Sequence, residues 1–181
     1  MAGRVARQMS VLGIYLNDHL AGATGGSELA RRMAASRHVT AAAGVLEQLA
    51  DEIAHDRAAL LKMMAALGIP VRGYKVCAAW LGEKAARLKP NGHLRTRSPL
   101  SSLEELEMLR LGVEGKATGW RTLRALADQD SRLDAGLLEE LMSKARRQAD
   151  LLEELRVQAA DQIVRTSGTT GRQPWRGSAQ A

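Results

Sequence analysis

The stretch LADEIAHDRAAL, residues 49–60, runs on as LKMMAALG to residue 68 and carries one apolar stripe at helical spacing. Leu46, Leu49, Ile53, Leu60, Met63 and Leu67 recur in heptad register, the pattern of a helix with a single buried seam. One seam position is vacant, and Asp56 fills it where Leu or Ile would be expected. Gly68 stands just past the stripe, where a left-handed residue closes a helix. The same stretch contains Glu52-x-x-His55, the spacing with which carboxylate-bridged di-iron proteins hold metal inside a four-helix bundle. At 100° per residue Asp56 lies near the centre of the stripe, Glu52 on its flank and His55 on the solvent side. The inward carboxylate is therefore Asp56, one place beyond the eye-catching pair.

Composition agrees with a helical reading. The chain has 181 residues, 45% hydrophobic and 25% charged, with no Phe. Its apolar content is mainly Leu and Ala, which favour helix over sheet, so an all-α domain with a real core is expected. The one Cys, Cys77, has no internal disulfide partner. Two Arg precede the first apolar run, but Asn17, Asp18 and His19 break that run, so no export signal is read. No apolar run reaches the roughly 18 residues of a membrane span. A cytoplasmic setting without membrane contact is the resulting expectation.

The four prolines, Pro70, Pro90, Pro99 and Pro174, punctuate the chain. They and the apolar periodicities predict helices over about 7–35, 41–67, 74–89, 101–127 and 135–165, in a single domain covering 1–166, with 167–181 as a disordered tail. Ser102-x-x-Glu105 reads as a capping box and Asp134 as an N-cap. The link from 69 to 99 is far longer than the roughly 2–8 residues usual between neighbouring helices of a bundle. A four-helix bundle of the ferritin-like kind, with one long crossover containing a short extra helix, is the expected architecture.

In helix one the inward seam is Leu12, Tyr15, Leu16, His19, Ala23, Gly26 and Ala30. A tight antiparallel turn near residues 37 and 38 sets His19 opposite Asp56. A polar layer of Tyr15, His19, Asp56 and Arg57 is therefore expected, with Glu52 beside it, and pairing with Asp56 would raise the His19 pKa. Gly22, Gly26 and Ala30 are expected to make room for a bulky neighbour such as Trp80 or Trp120. The fourth predicted helix has a seam of Leu103, Leu106, Leu109, Val113, Ala117 and Trp120, flanked by Glu107, Arg110, Glu114 and Arg121 as a surface ladder. The fifth has Leu138, Leu141, Ala145, Leu152, Leu155 and Ala159, with Gln148 in a vacancy whose partner the sequence does not reveal.

A di-iron centre needs a second Glu-x-x-His, and the fifth helix contains no His. The metal-ligating candidates reduce to His19, Glu52 and Asp56, for iron, manganese or zinc. No phosphate loop, dinucleotide fingerprint, HExxH or nucleophile elbow is present, so no catalytic residue is assigned. Arg72, Lys75, Lys84, Arg87, Lys89, Arg95 and Arg97, against Glu83 alone, carry the whole formal charge of +6. With few aromatics interleaved, this basic crossover reads as a solvated face or a contact for an acidic partner rather than a nucleic-acid reader. Trp175 in the tail suits a short docking peptide.

Four segments, YLNDHLAGAT (15–24), LADEIAHDR (49–57), AAWLGEKAARLKPNG (78–92) and PLSSLEELEMLRLGVEGKATGW (99–120), together resemble a group of small, mainly actinobacterial helical proteins with a ferritin-like bundle. The likeness spans about residues 10 to 160; it implies a fold and brings no established activity. The sequence thus leads to a non-catalytic bundle that works by binding a protein partner or by self-association. Its alternative is a degenerate ferritin-like protein binding metal or a small ligand at the His/Asp/Glu layer.

Overall fold

The computed structural model describes residues 2–35, 43–72 and 99–170, with side chains over 11–35, 43–72 and 100–165. This part of the chain forms a bundle of four helices: α1 (Ala2–Ala34), α2 (Ala43–Ala66), α3 (Pro99–Ala127) and α4 (Ala135–Thr170). No strand occurs among the described residues. The helix expected over 74–89, Cys77, Trp80, the basic residues beyond Arg72 and Trp175 all lie outside them.

Local chemistry explains where the helices stop and start. Gly68 has φ 69°; its N–H donates to the Ala65 carbonyl at 3.0 Å and the Ile69 N–H donates to the Met64 carbonyl at 2.8 Å. These two bonds make a Schellman cap, and the buried Ile69 supplies its apolar contact. At the start of α4 the Asp134 carboxylate accepts the Leu137 N–H at 3.1 Å, the N-cap bond expected from the sequence. Helix α3 begins at Pro99, a residue with no N–H to leave unpaired in a first turn. Ser102 consequently lies inside the helix and does not cap it. Helix α4 continues to Thr170, into the stretch read as tail, because extending an existing helix costs far less than nucleating one.

Pairings between helices set their directions. On α1 and α2, Thr24 meets Arg57 while Gly13 backs onto Ile69. On α1 and α3, Tyr15 meets Thr122 and Arg32 meets Glu105. On α3 and α4, Arg124 pairs with Glu139 and Arg110 with Glu153. Along each pair one number rises as the other falls, so these neighbours are antiparallel. It follows that α2 and α3 run in the same direction. The shared interior is built from the predicted seams, including Leu16, Leu46, Leu49, Leu109, Leu138 and Leu152, together with Met64 and Leu123, which lie outside them; all are under 2% exposed.

The α1–α2 hairpin has a different register from the one a tight turn implies. Thr24, not His19, lies across from the Asp56–Arg57 step. The offset of about five residues exceeds one helical turn, because α1 ends at Ala34 and α2 begins at Ala43, leaving a longer connection than assumed. The expected His19–Asp56 pair is therefore not formed: among the described residues no hydrogen bond or ion pair joins them. The small residues also serve differently. A methyl group on Gly26 would meet Leu109 and Ile53, and one on Gly22 would meet open space.

Asn17, which lies outside the predicted seam, ties the chain leaving α2 back to α1. Its amide nitrogen donates to the Gly13 carbonyl at 2.7 Å and to the Pro70 carbonyl at 3.1 Å. Its oxygen accepts the Arg72 N–H at 2.7 Å. Asn17 is only 7% exposed, so Asn17→Ala strands buried groups and should cost about 1–3 kcal/mol in urea unfolding. Loss within the error of the fit would show that water replaces these bonds freely.

Candidate functional site

The side chains that could do chemistry converge on the Asp56 carboxylate, which has no exposed surface. Its position in the α2 seam follows from the heptad pattern, and each of its oxygens is met from a different helix. From α3 the Lys116 ammonium reaches Oδ2 at 2.6 Å. From α4 the Lys144 ammonium reaches Oδ1 at 3.1 Å, and the Gln148 amide nitrogen lies 3.5 Å from Oδ2. Lys116 also donates to the Gln148 side-chain oxygen. The same Gln148 amide nitrogen donates to Glu52 Oε2 at 2.8 Å, and Gln48 donates to Glu52 Oε1 at 3.3 Å.

Glu52, Asp56, Lys116, Lys144 and Gln148 thus form one layer of two carboxylates, two ammonium groups and an amide spanning three helices. The charges balance in pairs, which is the condition under which ions are tolerated in a core. Burial pushes the Lys116 pKa down from its ordinary value; the facing Asp56 carboxylate partly opposes this, and Lys144 adds to the lowering. Lys144 is more open, with 32% of its side chain exposed against 9% for Lys116.

The residues proposed from sequence for a polar layer are divided among three places. Asp56 and Glu52 belong to the layer just described. Arg57 turns to α1, where its Nε donates to the Thr24 hydroxyl at 2.8 Å. Tyr15 and His19 face α3: the Tyr15 hydroxyl is 3.1 Å from that of Thr122, and the two rings meet edge to face at 4.5 Å. His19 lies against Gly119, where an added methyl would come within 3.1 Å of the imidazole ring. Its pKa is lowered by burial, with Asp18 opposing, whereas pairing with Asp56 would have raised it. His55 is exposed as expected, its Nδ1 2.8 Å from the Asp51 carbonyl.

For metal binding the three candidates His19, Glu52 and Asp56 do not converge. Two ammonium groups hold the sides of Asp56 that a cation would have to approach. Among the described residues no group of three or more His, Cys, Asp or Glu side chains is placed to hold a metal ion. Two of the residues that build the layer, Lys116 and Lys144, are not singled out by the sequence pattern. Gln148 was recognised as a seam vacancy without a partner; Lys116 falls between Val113, Ala117 and Trp120 on the apolar face of α3, a third vacancy that its charged type disguised. The flanking ladder of α3 pairs outward across helices, Arg110 with Glu153 at 3.2 Å and Glu107 with Arg156 at 3.9 Å.

Removing one side of the layer is far worse than removing both. Asp56→Ala removes the one carboxylate that both ammonium groups contact and should destabilise the bundle by about 3–5 kcal/mol in urea unfolding. Asp56→Leu combined with Lys116→Met exchanges the central pair for apolar volume, while Lys144 can turn to water. The double variant should recover most of that loss, giving a large coupling energy in the double-mutant cycle. Additive effects would show that the two groups are energetically independent.

Comparison with known proteins identifies no relative: no family model matches the chain, and no curated protein or solved structure matches it.

Proposed function

We propose that the chain is a non-catalytic helical-bundle protein that works through protein–protein contact, including association with its own copies. The observation that carries this reading is the saturation of its polar layer by its own side chains. Both Asp56 oxygens are engaged by lysines, and both Glu52 oxygens by glutamines. A ligand or metal entering there has to displace an internal ammonium group. The outer surface is better suited to an encounter, since Val11 and Ile14 of α1 and Met108 and Leu111 of α3 remain exposed, Leu111 to 63%.

The ferritin-like arrangement with a long crossover belongs to the same proposal. It is supported by the antiparallel neighbours and by the shared direction of α2 and α3. Membership in the mainly actinobacterial group of small helical proteins is proposed on the sequence resemblance alone. In this reading a layer that holds metal in di-iron bundles is occupied by lysine instead. No helix among the described residues is long and apolar enough to cross a membrane, and we propose a cytoplasmic setting.

Sedimentation velocity over a wide concentration range, together with metal analysis of the purified protein, tests the reading. The expected outcome is association that Leu111→Glu weakens at least tenfold, a loss of about 1.4 kcal/mol, while helicity is kept. Stoichiometric iron, manganese or zinc that Asp56→Ala releases would overturn it in favour of a metal-binding protein.

A further inference from the structure

Helix α3 carries a second stripe on the face opposite its core seam. Glu104, Met108, Leu111, Gly115 and Thr118 follow one another at alternating steps of four and three residues, the spacing of a coiled-coil seam, and all five are exposed. Leu111 is 63% exposed and Met108 37%. Gly112 and Gly115 leave the backbone bare on this outer surface: a methyl group on either would meet nothing within 4 Å. From Met108 to Thr118 the stripe holds no charge.

Charges line one edge of the stripe, where Glu107, Glu114 and Arg121 stand one heptad apart. The Glu107 side chain is half-exposed, and it lies only loosely against Arg156, at 3.9 Å, because Glu153 holds that guanidinium at 2.6 Å. Arg121 is exposed and forms no hydrogen bond or ion pair among the described residues. A carboxylate and a guanidinium two heptads apart, both open to solvent, flank an uncharged stripe.

We propose that this stripe is where two copies of the chain meet, α3 packing antiparallel on α3 about a twofold axis near residue 113. The pairing rests on the self-association read above and gives it a surface. In this arrangement Leu111 of each copy lies over Gly115 of the other and Met108 over Thr118, so the largest side chains of the stripe meet its smallest. The bare glycines let the backbones approach to the short end of the roughly 8–10 Å usual between packed helices. Along the edge, Glu107 of each copy faces Arg121 of the other, an opposite-charge pair that the twofold axis forms twice. The two half-buried Glu114 side chains meet near the axis, one repulsive contact against two attractive ones. A parallel pair brings no opposite charges together along this edge and sets Glu104 against Glu104. Edge charges of this kind choose partner and direction in coiled coils.

Sedimentation velocity of the full chain over a wide concentration range, with helicity checked by circular dichroism, compares the wild type with Glu107→Arg, Arg121→Glu and the two combined. Either reversal alone turns both attractive pairs repulsive and should weaken association by about tenfold or more. The combined variant restores opposite charges and should return to within about threefold of the wild type. It loses the same Glu107–Arg156 contact as the first variant, so its recovery separates pairing from stability. An equimolar mixture of the two single variants should form the mixed dimer in preference to either dimer with itself. Wild-type association that neither reversal alters would overturn this pairing and leave self-association to another face. Weakening that the combined variant does not reverse would overturn the antiparallel arrangement. A wild type that sediments as a 19.5 kDa monomer at every concentration would overturn self-association together with the pairing; if Leu111→Glu then lowers its urea midpoint, the stripe is covered by a segment of its own chain.

Discussion

A carboxylate with no exposed surface sits in the middle of a leucine core, and the bundle is arranged so that it is never alone. Asp56 can be buried because Lys116 and Lys144 bring two positive charges to it and Gln148 fills the remaining hydrogen-bonding space. Its partners come from α3 and α4, so three helices have to present the right side chain at the same height. Apolar seams can slide by a heptad and still bury leucines. A layer of matched ions cannot, since a slip of one turn, about 5.4 Å, carries an ammonium group out of reach. The layer thereby sets the relative height of α2, α3 and α4.

Helix α1 is attached by other means. Among the described residues it contributes no member to the ionic layer, and it meets its neighbours through the buried Leu16, Leu20 and Met33, small residues and single polar ties. Gly26 lets Leu109 and Ile53 approach, Thr24 receives Arg57, and Asn17 holds the segment leaving α2. At the α3 face His19 fits closely on Gly119. The interior therefore combines a charge-matched layer across three helices with an apolar core that all four share.

Much of the described fold is legible in the sequence. The heptad stripes named the buried faces of α2 and α4 almost residue for residue, and Gly68 and Asp134 named two of the helix ends. Asp56 was picked out because a carboxylate in an apolar seam is costly enough to demand partners. Its partners were misjudged for two reasons. A turn at residues 37 and 38 would set His19 across from Asp56, whereas the pairing of Arg57 with Thr24 lies more than one helical turn away. Lys116 was passed over because its long aliphatic stem lets a charged residue occupy an apolar face with only its end group needing company.

Residues a few places apart settle that the described segments are helical, which side of each is buried, and that α2 carries a charge into the core, because periodicity and capping are local. Only the tertiary structure decided what that charge would meet. The partners of Asp56 lie 60 and 88 residues away, on helices whose heights depend on every connection and contact in the bundle. A heptad pattern specifies the face of a helix, and it leaves the position along the axis to be chosen by packing and by the need to neutralise a buried ion.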